Sequence, residues 1–349
     1  MSENIPTPVG VQQIYERIRT ILSEARTRAY RAINTAMVAA YWEIGRVIVE
    51  QEQQGRERAE YGRALLKELS NRLKSEFGKG FDPSHLAKMR AFYLLWPILD
   101  ALRPELSWTH YRLLLRVENP EARTFYAAEA VTARWSTREL ERQIDSLLFE
   151  RLALSRDREG VLALAEKGHE IELPGDLIKD PYVLEFTGLP QNERFLESDL
   201  EEALIDKLRE FLLELGKGFA FMARQQRITL GGQHFWIDLV FYNRLTRSFV
   251  LIDLKTGPLT HQDLGQMQMY VHYYQREVAT PDENSPIGIV LCTDKNEAVV
   301  RYTLPEDNQQ IFASRYKLYL PSETELAAEL QRERQAIEME NRLRDMTDE

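Results

Sequence analysis

Cysteine is nearly absent from this 349-residue chain: Cys292 stands alone, so no disulfide can close within it, and such usage suits a reducing compartment. Long apolar runs are also missing. None approaches the roughly 18 consecutive apolar residues of a membrane-spanning helix. The start, MSENIPTPVG, lacks the basic and apolar segments of a secretory leader, and the expected location is the cytoplasm. There is no G-x-x-x-x-G-K-[ST] loop, which excludes a P-loop ATP motor, and no G-x-S-x-G nucleophile elbow. No histidine pair has HExxH or zinc-finger spacing, so zinc is not expected. A basic balance is lacking too. The formal net charge is −10, which argues against a passive nucleic-acid binder. The charge is uneven, however: residues 1–150 hold 22 Lys and Arg against 20 Asp and Glu, and much of the acid excess lies in the last thirty residues. A local basic groove is therefore not excluded.

What is present falls into two patterns. Residues 10–155 predict an all-helical domain of six or seven helices. Ile14, Ile18, Ile21, Leu22 and Ala25 form a helical stripe, and Ala36 to Val47 form a second, more buried segment before Gly55. Asp82 with Pro83, and Asn119 with Pro120, are helix starts, and Ser136-Thr-Arg-Glu139 is a capping box. Residues 156–190 are punctuated by Gly and Pro and predict a connector. From 191 to 320 the order changes to helix, three strands, helix, strand, helix, strand, an α/β domain with a mixed sheet. Residues 321–349 predict a charged helical tail with a thin seam at Leu326, Leu330 and Ile337.

Within the α/β region, FWIDLVFYNRLTRSFVLIDLKTG places Asp238, Asp253 and Lys255 inside the most apolar strands. An ionised carboxylate buried without a partner costs several kcal/mol. A short hairpin makes the two acids cross-strand neighbours, and Asp253 and Lys255, two apart, share a face. A lone Asp-x-Lys usually marks a solvated face. A second acid in an equally apolar strand, and Gln266 and Tyr270 four apart on the next helix, argue for a site. Paired carboxylates suit a divalent ion such as Mg2+, which takes one or two carboxylates plus water and phosphate oxygens. Such an ion polarises a phosphoryl group and acidifies bound water, and a neighbouring lysine can orient that water. Phosphodiester hydrolysis is the chemistry this set supports.

The ordered set Asp238, then Asp253-x-Lys255, then Gln266-x-x-x-Tyr270 resembles the PD-(D/E)XK nuclease superfamily, with the closing Gln-x-x-x-Tyr element of its RecB-type members. More narrowly, LESDLEEALIDKLREFLLELGKGFAFMARQQRI, IDLVFYNRLTRSFVLIDLKTG and DLGQMQMYVHYY resemble the YhcG family of bacterial PDDEXK nuclease-domain proteins. FDPSHLAKMRAFY, LSWTHYRLLLRV and RWSTRELERQI resemble that family's helical N-terminal domain. The resemblance implies a restriction-endonuclease-like fold and a Mg2+-dependent deoxyribonuclease, with Mn2+ as a substitute ion. Asp238 and Asp253 would be metal ligands, with the Leu254 carbonyl as a third. Lys255 would position or activate water, Gln266 would support Lys255 or the water, and Tyr270 would contact substrate or brace Gln266. The first helix would add an acid, Glu201, with Glu202 and Glu197 as rivals. Asp253 stands where Glu is commoner, and its shorter side chain would shift the ion slightly.

The helix PSHLAKMRAFYLLW could be half of a helix-turn-helix, offering Ser84, His85, Lys88 and Arg90 to DNA, although Leu86, Met89, Phe92 and Tyr93 equally suit a buried helix. His234, His261 and His272 flank the core, and Cys292 suits core packing. DNA is the expected partner and a homodimer or higher homo-oligomer the expected assembly. A nucleic-acid-binding scaffold that does not cleave, and a nuclease acting on RNA, remain open at this point.

Overall fold

The computed structural model describes residues 8–54, 59–78, 80–153, 158–190, 195–305, 307–322 and 324–325; Gly55 and the tail beyond 325 fall outside them. The chain divides into two units, Met1–Leu140 and Glu141–Glu349. None of the described helices is long and apolar enough to cross a membrane.

The first unit is helical: α1 (Pro8–Gln54), α2 (Ala59–Phe77), α3 (Pro83–Leu95), α4 (Trp108–Leu114) and α5 (Pro120–Thr132), followed by α6 (Thr137–Asp145) at the division. Side chains set the starts. Asp82 accepts the His85 N–H at 3.0 Å ahead of Pro83, Asn119 accepts the Glu121 N–H at 2.9 Å, and Glu139 accepts the Ser136 N–H at 2.7 Å. Residues 10–54, read as two segments, form one continuous helix. Gly45 lets it meet α3, because a Cβ there would lie 2.1 Å from the Met89 carbonyl oxygen. Ile48, Leu86 and Met89 form the core at this crossing. The Ile14, Ile18, Ile21 and Leu22 stripe, by contrast, is exposed. Lys88 is half-buried on α3, and Arg90 is ion-paired at 2.5 Å with Glu52.

The second unit adds α7 (Leu148–Ala153), α8 (Arg158–Lys167), β1 (Tyr182–Val183), α9 (Glu197–Asp206), α10 (Leu208–Leu215), β2 (Phe219–Leu230), β3 (Gln233–Asn243), β4 (Ser248–Leu254), α11 (His261–Tyr273), β5 (Ile287–Cys292), α12 (Glu297–Thr303) and β6 (Ile311–Lys317). The sheet order is β1-β6-β5-β4-β3-β2. The β2–β3 and β3–β4 pairs are antiparallel; β4–β5, β5–β6 and β1–β6 are parallel. A helical region followed by a mixed-sheet α/β domain is the fold class that the sequence predicts. Every residue of β5 is buried, as befits a central parallel strand covered on both faces. Leu200, Leu204, Phe211 and Leu215 from α9 and α10 cover one face. Leu264, Met267 and Tyr270 from α11 cover the other. Gly288 permits that second contact, since a Cβ would meet the Met267 sulfur at 2.5 Å.

Three local features depart from the sequence reading. The segment 156–190 contains α8 and β1. The stretch 197–215 breaks at Lys207, where no Gly or Pro marks it. The stretch after Ser136 breaks at Leu147, φ 54°, and the Arg151 guanidinium takes the Ser146 carbonyl at 2.9 Å.

Arg151 belongs to a buried network around Glu214. Glu214 receives Arg151 at 2.5 Å, Arg142 at 3.2 Å and the Val183 N–H at 2.9 Å, while its backbone carbonyl accepts from Lys179. Helices α6, α7 and α10 and strand β1 are thus tied to one carboxylate. Burial alone would raise its pKa, but Arg151, Lys179 and Arg142 outweigh burial and hold it down at about 2. Because the folded pKa is depressed, the stabilisation is complete above the ordinary carboxylate value of 4.5 and is lost as pH falls toward about 2. Glu214→Ala is expected to cost roughly 3–5 kcal/mol at pH 7 by leaving Arg151 buried and uncompensated. In urea denaturation the wild-type advantage over Glu214→Gln should shrink below pH 4.5; a pH-independent difference would contradict the network's charge.

Candidate active site

The β3–β4 ladder ends at Leu239 opposite Ile252. One step further along both strands, Asp238 stands opposite Asp253. Backbone pairing gives way there to a side chain: Asp238 Oδ2 accepts the Leu254 N–H at 2.8 Å. Leu254, the candidate third ligand through its carbonyl, is fully buried. The Lys255 N–H continues the parallel ladder to the Leu291 carbonyl at 2.8 Å, which fixes the base of the lysine.

Asp253 is only 2% exposed. Its Oδ2 lies 2.9 Å from Lys255 Nζ but has no aligned hydrogen bond. Lys255 Nζ is also 3.5 Å from Glu197 Oε2, so Glu197, on the first turn of α9, reaches the lysine. Glu201, one turn further along α9, is buried, with Oε1 3.2 Å from Arg224 Nε and likewise without an aligned hydrogen bond. Glu202 points to solvent. Gln266 donates to the Tyr270 hydroxyl, which donates at 2.8 Å to the Trp236 carbonyl. Tyr270 thus braces Gln266 and pins β3 two residues before Asp238. His234, His261 and His272 are exposed. Cys292 is packed in the α11-side core.

Gln225 carries no mark in the sequence, yet its amide nitrogen donates both to Glu201 and, at 3.0 Å, to Asp238 Oδ1. Arg224 pairs with Leu239 and Gln226 with Ile237, which puts Gln225 opposite Asp238. Its φ is 46°, a left-handed conformation uncommon for a non-glycine residue in a strand. The same step disturbs β3. Ile237 and Val240, three apart, both pack toward α11, while Leu239 and Phe241 pack on the other face. The slip in alternation falls at Asp238. Its only advance signal is the pair Ile237–Val240, out of step for a strand.

The electrostatics follow from burial. Burial pushes the Asp253 carboxyl up to about 7, against the pull of Lys255 and with the Asp238 charge adding to the rise. Asp238 is also raised by burial, offset in part by the Leu254 N–H. For Lys255 burial works downward, but the Asp253 charge outweighs it and holds the ammonium above the ordinary lysine value. Four carboxylates, Glu197, Glu201, Asp238 and Asp253, face two cations, Arg224 and Lys255, a formal excess of two negative charges when all four acids are ionised. Among the described residues no group of three or more His, Cys, Asp or Glu is arranged to hold a metal. A hard divalent ion would therefore rest on the Asp238–Asp253 pair, backbone oxygen and water. The charge excess and the misaligned Asp253 oxygen fit such an ion.

Comparison with known proteins identifies the family. Residues 175–332 match the YhcG PDDEXK nuclease domain, and residues 17–151 match the DUF1016 N-terminal domain. The chain is 39% identical over 364 aligned positions to the protein named "Putative nuclease YhcG" of Escherichia coli (strain K12), covering 95% of this chain and 96% of that one. Among solved structures, a repair endonuclease from Pyrococcus abyssi and an EndoMS–dsDNA complex each give a TM-score of 0.26 at 16% identity, over 38% of this chain and 50% of theirs. The chain spans about half the length of those two structures, and likeness of that order carries no argument.

In EDTA at pH 8, Asp253→Asn is expected to raise the thermal midpoint, because it removes a buried charge that Lys255 does not fully compensate. Gln225→Leu is expected to lower it by leaving Glu201 and Asp238 without their shared donor. Each kcal/mol corresponds to about 2–4 °C for a unit of this size. Calorimetry of the three proteins checks both signs.

Proposed function

The chain belongs to the YhcG family of PDDEXK nuclease-domain proteins, and on that premise we propose that it is a divalent-metal-dependent nuclease that hydrolyses DNA phosphodiester bonds. The observation that carries this reading is the juxtaposition of half-buried Asp238 and buried Asp253, two acids with surplus negative charge, beside a protonated Lys255. Nucleases of this superfamily generally use divalent metal ions. Mg2+ is the first choice and Mn2+ the substitute, held by Asp238, Asp253 and the Leu254 carbonyl. When bound, the ion supplies Lewis-acid polarisation of the phosphoryl group and acidification of bound water.

The chain's own residues supply the rest. Lys255 retains its proton, so it acts as a donor that holds the attacking water and stabilises developing charge on phosphate oxygen. Glu197 restrains the lysine from the α9 side. Glu201, through Gln225, fixes the orientation of Asp238. Gln266 and Tyr270 fix the backbone of β3: the buried tyrosine hydroxyl is taken up by Gln266 and the Trp236 carbonyl, which makes Tyr270 a brace rather than a substrate contact. Lys88, and Arg90 once released from Glu52, are candidates for phosphate contact from the first unit. Cleaving both strands of a duplex usually needs two such sites, for which a homodimer is the simplest assembly.

Purified protein is expected to cleave DNA in Mg2+ or Mn2+ and to be inert in EDTA. Asp253→Ala and Lys255→Ala should each lower the rate on the order of 100-fold or more. Equal cleavage by wild type and both variants would overturn the site. Parallel RNA substrates test the choice of DNA: faster cleavage of RNA would overturn it.

A further inference from the structure

The β2–β3 ribbon extends past the sheet. Strand β4 pairs with β3 only from Leu239 to Asn243, so residues 233–237 pair with β2 alone. Along 219–237 the only charged residues are Arg224 and Arg227, a net +2 in a chain of net −10. Phe235 and Ile237 pack toward α11. Trp236 and His234 therefore face the opposite side, the one on which Glu201 of α9 meets Gln225. Across the ribbon, Arg227 stands opposite Trp236 and Thr229 opposite His234, with Thr229 and His234 hydrogen-bonded at 2.9 Å. The His234 and Trp236 rings are T-shaped at 6.2 Å. Trp236 is 48% exposed, and its backbone is held by Tyr270.

A single exposed tryptophan is unexceptional on a protein surface. This one is two residues from Asp238, on a backbone fixed by the Gln266–Tyr270 pair, across from an exposed arginine, on a strip without acids. An indole face flanked by a cation is what a nucleic-acid base with its phosphate requires. A base inside an intact duplex cannot present its face to a side chain; an unpaired base can.

We infer that Trp236 and Arg227 form a platform for an unpaired DNA strand entering the acid site, with Trp236 stacking on a base next to the scissile phosphate and Arg227 neutralising a neighbouring phosphate. This rests on the nuclease reading above and narrows it: the substrate carries unpaired bases at the point of cleavage.

The test separates binding from cleavage. In full-length Asp253→Asn, assayed in EDTA by fluorescence anisotropy, a labelled 20-nucleotide DNA strand is compared with its fully paired duplex and with the RNA strand of the same sequence. Adding Trp236→Ala should weaken single-strand binding about tenfold, the scale of one base–aromatic stack. Trp236→Phe should restore most of it, which a purely structural role would not require. Arg227→Ala should reduce the salt slope by about 0.7. Single-strand binding unchanged by Trp236→Ala, an equal loss on duplex, or a Trp236-dependent preference for RNA would each overturn the platform. Failure of the nuclease reading is distinct: it shows as absence of metal-dependent cleavage by wild type, whatever the Trp236 variants bind.

Discussion

An ionised Asp253 at the buried end of β4 cannot be satisfied by the sheet that surrounds it. The residue's own neighbours in β4, Ile252 and Leu254, are fully buried, and among the described residues no backbone N–H of the ladder turns to its carboxylate. The elements around it answer that one constraint. Strand β3 contributes Asp238, whose carboxylate ends the ladder in place of a backbone carbonyl. Helix α9 contributes Glu197 to the lysine and Glu201 to the Gln225 bridge. Helix α11 contributes Tyr270, which fixes β3 at Trp236. The result is a set of acids held by hydrogen bonds to one another's supports, with a charge excess left over.

The same unit contains a second buried carboxylate in the opposite condition. Glu214 is surrounded by Arg151, Arg142, the Lys179 ammonium and the Val183 N–H, and its pKa is held at about 2. Asp253 has one misaligned lysine and another acid beside it, and its pKa rises to about 7. Both are buried, so burial does not separate them; the number and alignment of cations do. Glu214 is a structural charge, satisfied by the chain itself. Asp253 is incompletely satisfied by the chain, and a perturbed group of that kind inside a concentration of acids is where function is expected.

Much of this was legible in the sequence because the signals are local. The interruption of an apolar strand by Asp238, and of its hairpin partner by Asp253 and Lys255, is visible by eye, as is the one-turn spacing of Gln266 and Tyr270. Helix caps at Asp82, Asn119 and Ser136 are equally local. What was not legible depends on register or on backbone conformation. Gln225 becomes a bridge only because β2 pairs with β3 in one register and because its φ is positive. Trp236 looks like one more apolar strand residue until the slip at Asp238 fixes which way it faces. The two-residue β1 is specified by the Glu214 network and by pairing with β6, contacts that lie more than a hundred residues away in the case of β6. The break at Leu147 follows from an arginine four positions on, which no propensity records.

On the proposed reading, the charge distribution reconciles an acidic chain with a polyanionic substrate. A phosphate approaching Asp238 and Asp253 meets two surplus negative charges, and in a partly desolvated site that repulsion is not screened away as it would be in open water. Arg224 cannot remove it, because that arginine already faces Glu201. On the proposed reading, occupation of the acids by a divalent cation and entry of the phosphate are therefore thermodynamically linked, each strengthening the other by the same factor. Of the two arginines of the β2–β3 ribbon, only Arg227 adds attraction outside the acid cluster. If that reading holds, affinity along the strand and admission to the reacting centre are set by different residues, which is how a protein of net charge −10 would hold a nucleic acid at its surface while refusing it the site until a cation is present.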